Sequence, residues 1–133
     1  MSKILAVDYG RKRIGLALSD DTEFIAFTIN PLSEPTPIRL FNALVKKITE
    51  INPSALVIGY PLGIDLKPTQ MSIEVDEFIS RLTEHTKAEI IKWNEVGTSK
   101  LAQKNIKNSR NKSIDSESAR IILQEFLDFK KTK

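Results

Sequence analysis

The chain has 133 residues, 41% of them hydrophobic and 28% charged, a composition that suits one folded domain spanning 1–133 and excludes a disordered chain. With no cysteine and a single histidine, His85, it excludes disulfides, thiolate chemistry and any multi-histidine metal centre. Twenty basic against seventeen acidic side chains give a net charge of +3, a mild lean toward anionic partners.

The apolar run from Ile4 to Val7 is far too short to span a membrane or to serve as a signal core, so the sequence is read as cytoplasmic, with no membrane partner. As a nearly continuous apolar run ending in Asp8, it predicts a buried first strand. Tyr9 to Lys12 reads as a hairpin turn into a second strand over Arg13–Ser19, where Ile14, Leu16 and Leu18 alternate with small residues. A third strand is expected over Phe24–Ile29, closed by Asn30-Pro31. These three form an antiparallel meander.

The periodicity then changes. Leu40, Phe41, Leu44, Val45 and Ile48 recur at helical spacing after Pro35-Thr36-Pro37, which predicts a helix over about 38–50 that stops at Asn52-Pro53. A fourth strand over Ala55–Ile58, a second helix over about 69–86, and a fifth strand over Ala88–Trp93 follow. A short helix over 98–107 and a final helix over 114–130, capped by Ser113, complete the chain. Strands reached through helices run parallel to a neighbour, so the expected fold is α/β: a mixed five-stranded sheet with helices on both faces, in three layers.

Three carboxylates stand out. Asp8 ends the first strand, and the carboxyl ends of strands are where α/β sheets place ligands. Taken alone, it is better explained as a turn residue bonding its own backbone. Asp115 shares a narrow helix face with Ala119, Ile122 and Phe126, so it is aimed at the body of the protein, where a charge needs a cation or hydrogen-bond donors. Interaction with the helix N-terminus would also account for it. Glu95 directly follows the fifth strand, where a solvated loop acid is the plain reading. If the first and fifth strands are neighbours or near neighbours, their ends lie about 5–10 Å apart. Asp8 and Glu95 then share one edge, and the last helix can bring Asp115 over it. Such an oxygen-only site suits Mg²⁺ or Mn²⁺ and phosphate-ester chemistry, and argues against Zn²⁺.

Charge is uneven along the chain. Lys100, Lys104, Lys107, Arg110 and Lys112 form a run with no acid between them. It reads either as a solvated face or as a nucleic-acid-binding phosphate contact.

The stretch from Ala6 to Asp20, containing Asp8-Tyr9-Gly10 and Lys12-Arg13, resembles the opening signature of the YqgF/RuvX family. Val57 to Leu62, Trp93 to Ser99, and Ile114-Asp115 through Asp128 resemble three further segments of that family in order and spacing, so the likeness covers the whole chain. The resemblance implies an RNase H-like fold with sheet order 3-2-1-4-5. It also implies a metal site and catalytic centre at Asp8, Glu95 and Asp115, and phosphate contacts from Lys12 and Arg13. Family members are described as Holliday-junction resolvases and as pre-16S rRNA nucleases. The expected function is therefore a metal-dependent endonuclease on structured nucleic acid, acting in 5′-end processing of pre-16S rRNA by two-metal phosphodiester hydrolysis. The alternatives are a Holliday junction resolvase-like DNA nuclease and a non-catalytic nucleic-acid-binding module. The expected partner is structured RNA or branched DNA, and the expected state a monomer or weak homodimer. The sequence departs from the family pattern at Asn94, where an Asp is usual, and at Val96, where an Arg would clamp phosphate. It departs again at Gly63 and Leu66, where Asn and Gly are usual.

Overall fold

A computed structural model describes residues 3–61, 68–94 and 114–131, with Ile114 and Asp115 described by backbone alone. The elements in order are β1 (Ile4–Asp8), β2 (Arg13–Ser19), β3 (Ala26–Ser33), α1 (Pro37–Ile51), β4 (Ala55–Tyr60), α2 (Gln70–Leu82), β5 (Glu89–Asn94) and α3 (Ile114–Lys131). The strands form one sheet of order β3-β2-β1-β4-β5. The β1–β2 and β2–β3 pairs are antiparallel; β1–β4 and β4–β5 are parallel.

Strand alternation divides the core in two. Leu5, Val7, Ile14, Leu16, Leu56 and Ile58 face α1 and α2, against Leu40, Phe41, Leu44, Ile48, Val75, Phe78 and Leu82. Ile4, Ala6, Ala17, Ala26, Ala55 and Val57 face α3, against Ala119, Ile122, Leu123, Phe126 and Leu127. The second face is largely alanine, so α3 can lie close to the strands. This buries the face formed by Ala119, Ile122 and Phe126, as their spacing predicts.

Helix ends follow local chemistry. Thr36 caps α1 by accepting from the Arg39 N–H at 3.2 Å, with Pro37 at the first helical position. Asn52 ends it in the left-handed region (φ 53°), donating its N–H to the Ile48 carbonyl at 2.7 Å. Thr69 and Ser72 form a reciprocal capping box at the start of α2.

Several expected boundaries move. The fourth strand does not stop after Ile58 but runs on to Tyr60, where Gly59 and Tyr60 stay paired with Trp93 and Asn94. The second helix ends at Leu82 and not near Thr86: the Glu84 and His85 N–H groups bond three residues back, to Arg81 and Leu82, so the chain tightens into a turn. The third strand does not close at Asn30-Pro31 but runs through it, from Ala26 to Ser33. Two features allow this. β3 is an edge strand, and its register with β2 shifts between Ile14↔Leu32 and Leu16↔Ile29, which places Asn30-Pro31 in a bulge opposite Gly15. Proline is tolerated at edges and bulges because no ladder donor is needed there. Phe24 and Ile25 belong to the preceding turn, where the Asp20 carboxylate accepts from their N–H groups at 2.8 and 3.0 Å and from the Thr22 hydroxyl.

These bonds to its charged form, that from Thr22 foremost, hold the Asp20 carboxyl at about 2, against an ordinary 3.8. A depressed folded-state pKa stabilises above the unfolded value and loses that contribution as pH falls through the folded one. Asp20→Asn should therefore flatten the loss of stability between about pH 4 and pH 2. Urea midpoints followed by circular dichroism across that window would measure it.

Candidate functional site

The alternation that sends Leu5 and Val7 toward α1 and α2 sends Ile4 and Ala6 toward α3, and Asp8 continues that second series. Asp8 is half-buried at the carboxyl end of the central strand. Its cross-strand partner is Gly15, which offers no side chain to crowd it. The chain leaves Asp8 through Tyr9-Gly10. A Cβ at Gly10 would lie 2.5 Å from the Arg13 carbonyl oxygen, so only glycine lets the turn pass this close to the start of β2.

The first turn of α3 reaches the same place. Ser116 is fully buried; its hydroxyl donates to the Ile29 carbonyl at 2.6 Å and accepts from the Leu16 N–H at 3.3 Å. These contacts lie at the β2–β3 bulge, one residue from the Gly15 that pairs with Asp8. Asp115, one residue before Ser116, thus has its backbone in the helical turn seated beside the end of β1. Further along α3, Gln124 accepts from the Ala26 N–H at 3.0 Å and donates to the Phe24 carbonyl at 2.9 Å, while Lys130 pairs with Glu23 at 2.8 Å. The helix is pinned to the β2–β3 hairpin along its length.

β1 and β5 are near neighbours, separated by β4, so their ends stand roughly two strand spacings apart, about 10 Å. Val7 pairs with Ile58 and Ile58 with Lys92, so Asp8 ends level with strands that remain paired through Gly59↔Trp93 and Tyr60↔Asn94. Trp93 packs edge-on to Phe126 and Phe129, and its ring N–H donates to Glu125 at 3.2 Å, as befits a wall residue. On the opposite face, Tyr60 donates to Asp76 at 2.6 Å and Lys92 donates to the same carboxylate at 2.6 Å. The Lys92 bond, then that from Tyr60, lowers the Asp76 carboxyl below its usual range. This trio ties α2 to the ends of β4 and β5.

The basic residues beside Asp8 divide. Arg11 is committed to Glu74, its Nε and Nη2 forming a fork with contacts of 2.7–3.2 Å, and this bond lowers the Glu74 carboxyl. Lys12 is exposed in the turn, and Arg13 is exposed at the start of β2. A cavity of about 120 Å³ lined by Tyr9, Arg11, Phe41, Glu74, Phe78 and Arg81 opens on the α1–α2 side, across the sheet from the face Asp8 belongs to. Burial, and then the neighbouring Glu74, pushes the Tyr9 hydroxyl up.

Glu95, Lys100, Lys104, Lys107, Arg110 and Lys112, with the expected short helix over 98–107 and the departures at Gly63, Leu66 and Val96, lie outside the described residues. Among the described residues no group of three or more potential metal ligands gathers, and Asp8 is the one member of the candidate triad whose side chain is described. Sequence reasoning missed Ser116, because a hydroxyl in a helix's first turn reads as ordinary helix-start chemistry.

The strand order, the parallel and antiparallel pairings and the flanking helices define the RuvC-like RNase H fold. *Thermus thermophilus* RuvC, solved with a Holliday junction substrate, matches it with a TM-score of 0.61 at 10% identity, covering 98% of this chain and 96% of that one. The fowlpox virus Holliday junction resolvase also matches at a TM-score of 0.61, with 16% identity, over 96% of this chain and 99% of that one. The chain belongs to the RuvX family, whose family model, described as Holliday junction resolvase, matches residues 2–129. Similar proteins include candidate pre-16S rRNA nucleases of *Amoebophilus asiaticus*, 35% identical over 96% of this chain and 94% of the relative, and of *Maridesulfovibrio salexigens*, 31% identical over 94% and 97%.

Gly10→Ala should destabilise the protein by about 1–3 kcal/mol, because the added methyl forces the turn away from Arg13. Chemical denaturation of the variant against the wild type would test this.

Proposed function

We propose that this chain is a single-domain, cytoplasmic, metal-dependent endonuclease that cuts structured RNA in 5′-end processing of pre-16S rRNA. The observation that carries the proposal is the seating of the first turn of α3, through Ser116, beside the strand pair that holds Asp8. Two carboxylate-bearing backbone positions 107 residues apart are thereby brought to one sheet edge, the edge at which β5 also ends. The relatives' description as candidate pre-16S rRNA nucleases supports the choice of substrate.

Asp8, Asp115 and Glu95 would hold Mg²⁺ or Mn²⁺, since a carboxylate-only donor set suits a hard cation. When bound, two such ions supply an activated water and neutralise charge on the phosphodiester in an in-line hydrolysis. Lys12 and Arg13 would hold backbone phosphates, with Lys100, Lys104, Lys107, Arg110 and Lys112 extending the contact. Arg11, in the same turn, pairs with Glu74 on the α1–α2 side and is not assigned that role. No helix among the described residues is long and apolar enough to cross a membrane. A second reading, cleavage of a four-way DNA junction, rests on the description of the matching family model.

Asp8→Asn should abolish Mg²⁺- or Mn²⁺-dependent cleavage of a pre-16S rRNA 5′ leader while leaving the circular dichroism spectrum unchanged. Cleavage that survives the substitution would reject the assignment. Running the wild type on a four-way junction in parallel decides between the two substrates. Lys12→Ala and Arg13→Ala should each weaken RNA binding and lower the slope of log affinity against log salt by about one, read by filter binding over a salt series.

A further inference from the structure

Ser116 sits where the β2–β3 ladder slips. Its hydroxyl is fully buried, donates to the Ile29 carbonyl at 2.6 Å and accepts from the Leu16 N–H at 3.3 Å, so one group serves both strands across the bulge. The bulged position opposite is Gly15, the cross-strand partner of Asp8. Among the described side chains, the first apolar residue by which α3 packs on the sheet is Ala119, three residues further on. The turn carrying Asp115 precedes the core contacts of Ala119, Ile122 and Leu123, and a helix's first turn lacks intrahelical acceptors for its N–H groups. Left to itself, such a turn frays.

We propose that Ser116 is a positioning residue, fixing the turn that carries Asp115 at the distance from Asp8 that a shared divalent cation requires. The proposal rests on the reading of Asp8 and Asp115 as metal ligands. Divalent cations with oxygen ligands tolerate little error: Mg²⁺ demands contacts near 2.0–2.1 Å, less than half of the roughly 5.4 Å that one helical turn spans. The bulge and the serine form one device. The bulge breaks the regular ladder, and the hydroxyl enters there as both donor and acceptor, which alanine cannot do and serine can.

The test is Mn²⁺ binding by titration calorimetry on the whole chain without substrate, with cleavage against Mn²⁺ concentration as a second readout. Ser116→Ala should weaken Asp8-dependent Mn²⁺ binding by roughly tenfold and raise the Mn²⁺ concentration for half-maximal cleavage in step, while the rate at saturating Mn²⁺ is retained. Ile122→Val, which loosens the core of α3 beyond the first turn, is the control for a loss of stability alone and should leave the Mn²⁺ midpoint in place. Should Ser116→Ala fail to fold, Ser116→Cys, close in size with a weak donor, carries the same expectation in smaller degree. An unchanged midpoint in a folded Ser116 variant, or an equal shift in Ile122→Val, overturns the role of Ser116 and leaves the metal site standing. Wild-type Mn²⁺ binding that Asp8→Asn does not diminish overturns the site reading and this proposal together.

Discussion

The close seating of α3 on an alanine-lined sheet face is the constraint on which the rest depends. Ala6, Ala17, Ala26 and Ala55 present methyl groups where the other face presents leucines and isoleucines. A helix on such a surface lies nearer the strands, and its register along them is set by the few positions where something larger or polar engages. Here those are Ser116 at the bulge, Gln124 at the end of the hairpin, and Lys130 at the turn. The apolar contacts supply most of the stabilisation, since each fully buried Leu or Ile side chain is worth roughly 1.5–3 kcal/mol. The polar contacts fix where along the sheet that stabilisation is collected.

The two faces of the sheet thereby acquire different duties. The α1–α2 face is packed with large side chains and closed at its rim by ion pairs: Arg11 with Glu74, and Lys92 with Asp76. These pairs are solvent-exposed and contribute little to stability. Their effect is to occupy charges and hold α2 against the strand ends. The α3 face keeps Asp8 half-buried at its edge, with Lys12 and Arg13 exposed at the start of the neighbouring strand. Under the proposed function, an anionic polymer approaching this edge would meet Lys12 and Arg13 beside the Asp8 carboxylate.

Most of the architecture was legible in the sequence because it rests on period. The run Ile4 to Val7, the alternation of Ile14, Leu16 and Leu18, and the helical spacing of Ala119, Ile122 and Phe126 each report a buried face directly. What was not legible depends on contacts between remote residues. The continuation of β3 through Pro31 requires knowing that β3 is an edge strand and that its ladder slips opposite Gly15. The commitment of Arg11 to Glu74, 63 residues away, leaves no trace in local pattern. Ile73 follows helical spacing yet is exposed, because the buried stripe of α2 runs through Ser72, Val75, Phe78 and Leu82. Of the candidate site, the place of Asp8 and the face of the last helix followed from alternation and periodicity. The serine that joins them did not, since its partners are backbone groups exposed by a bulge that no residue type announces.

Among the described residues, the outer rim of β3 pairs with no other strand. Bare strand rims recruit foreign backbones, and chains that carry them tend to stack into fibres. Pro31 has no amide to offer a pairing strand, and a bulge such as the one opposite Gly15 increases local twist. The irregularity that admits Ser116 on the inside therefore also blunts templated self-association on the outside. Straightening that strand would put solubility at risk together with the helix's foothold.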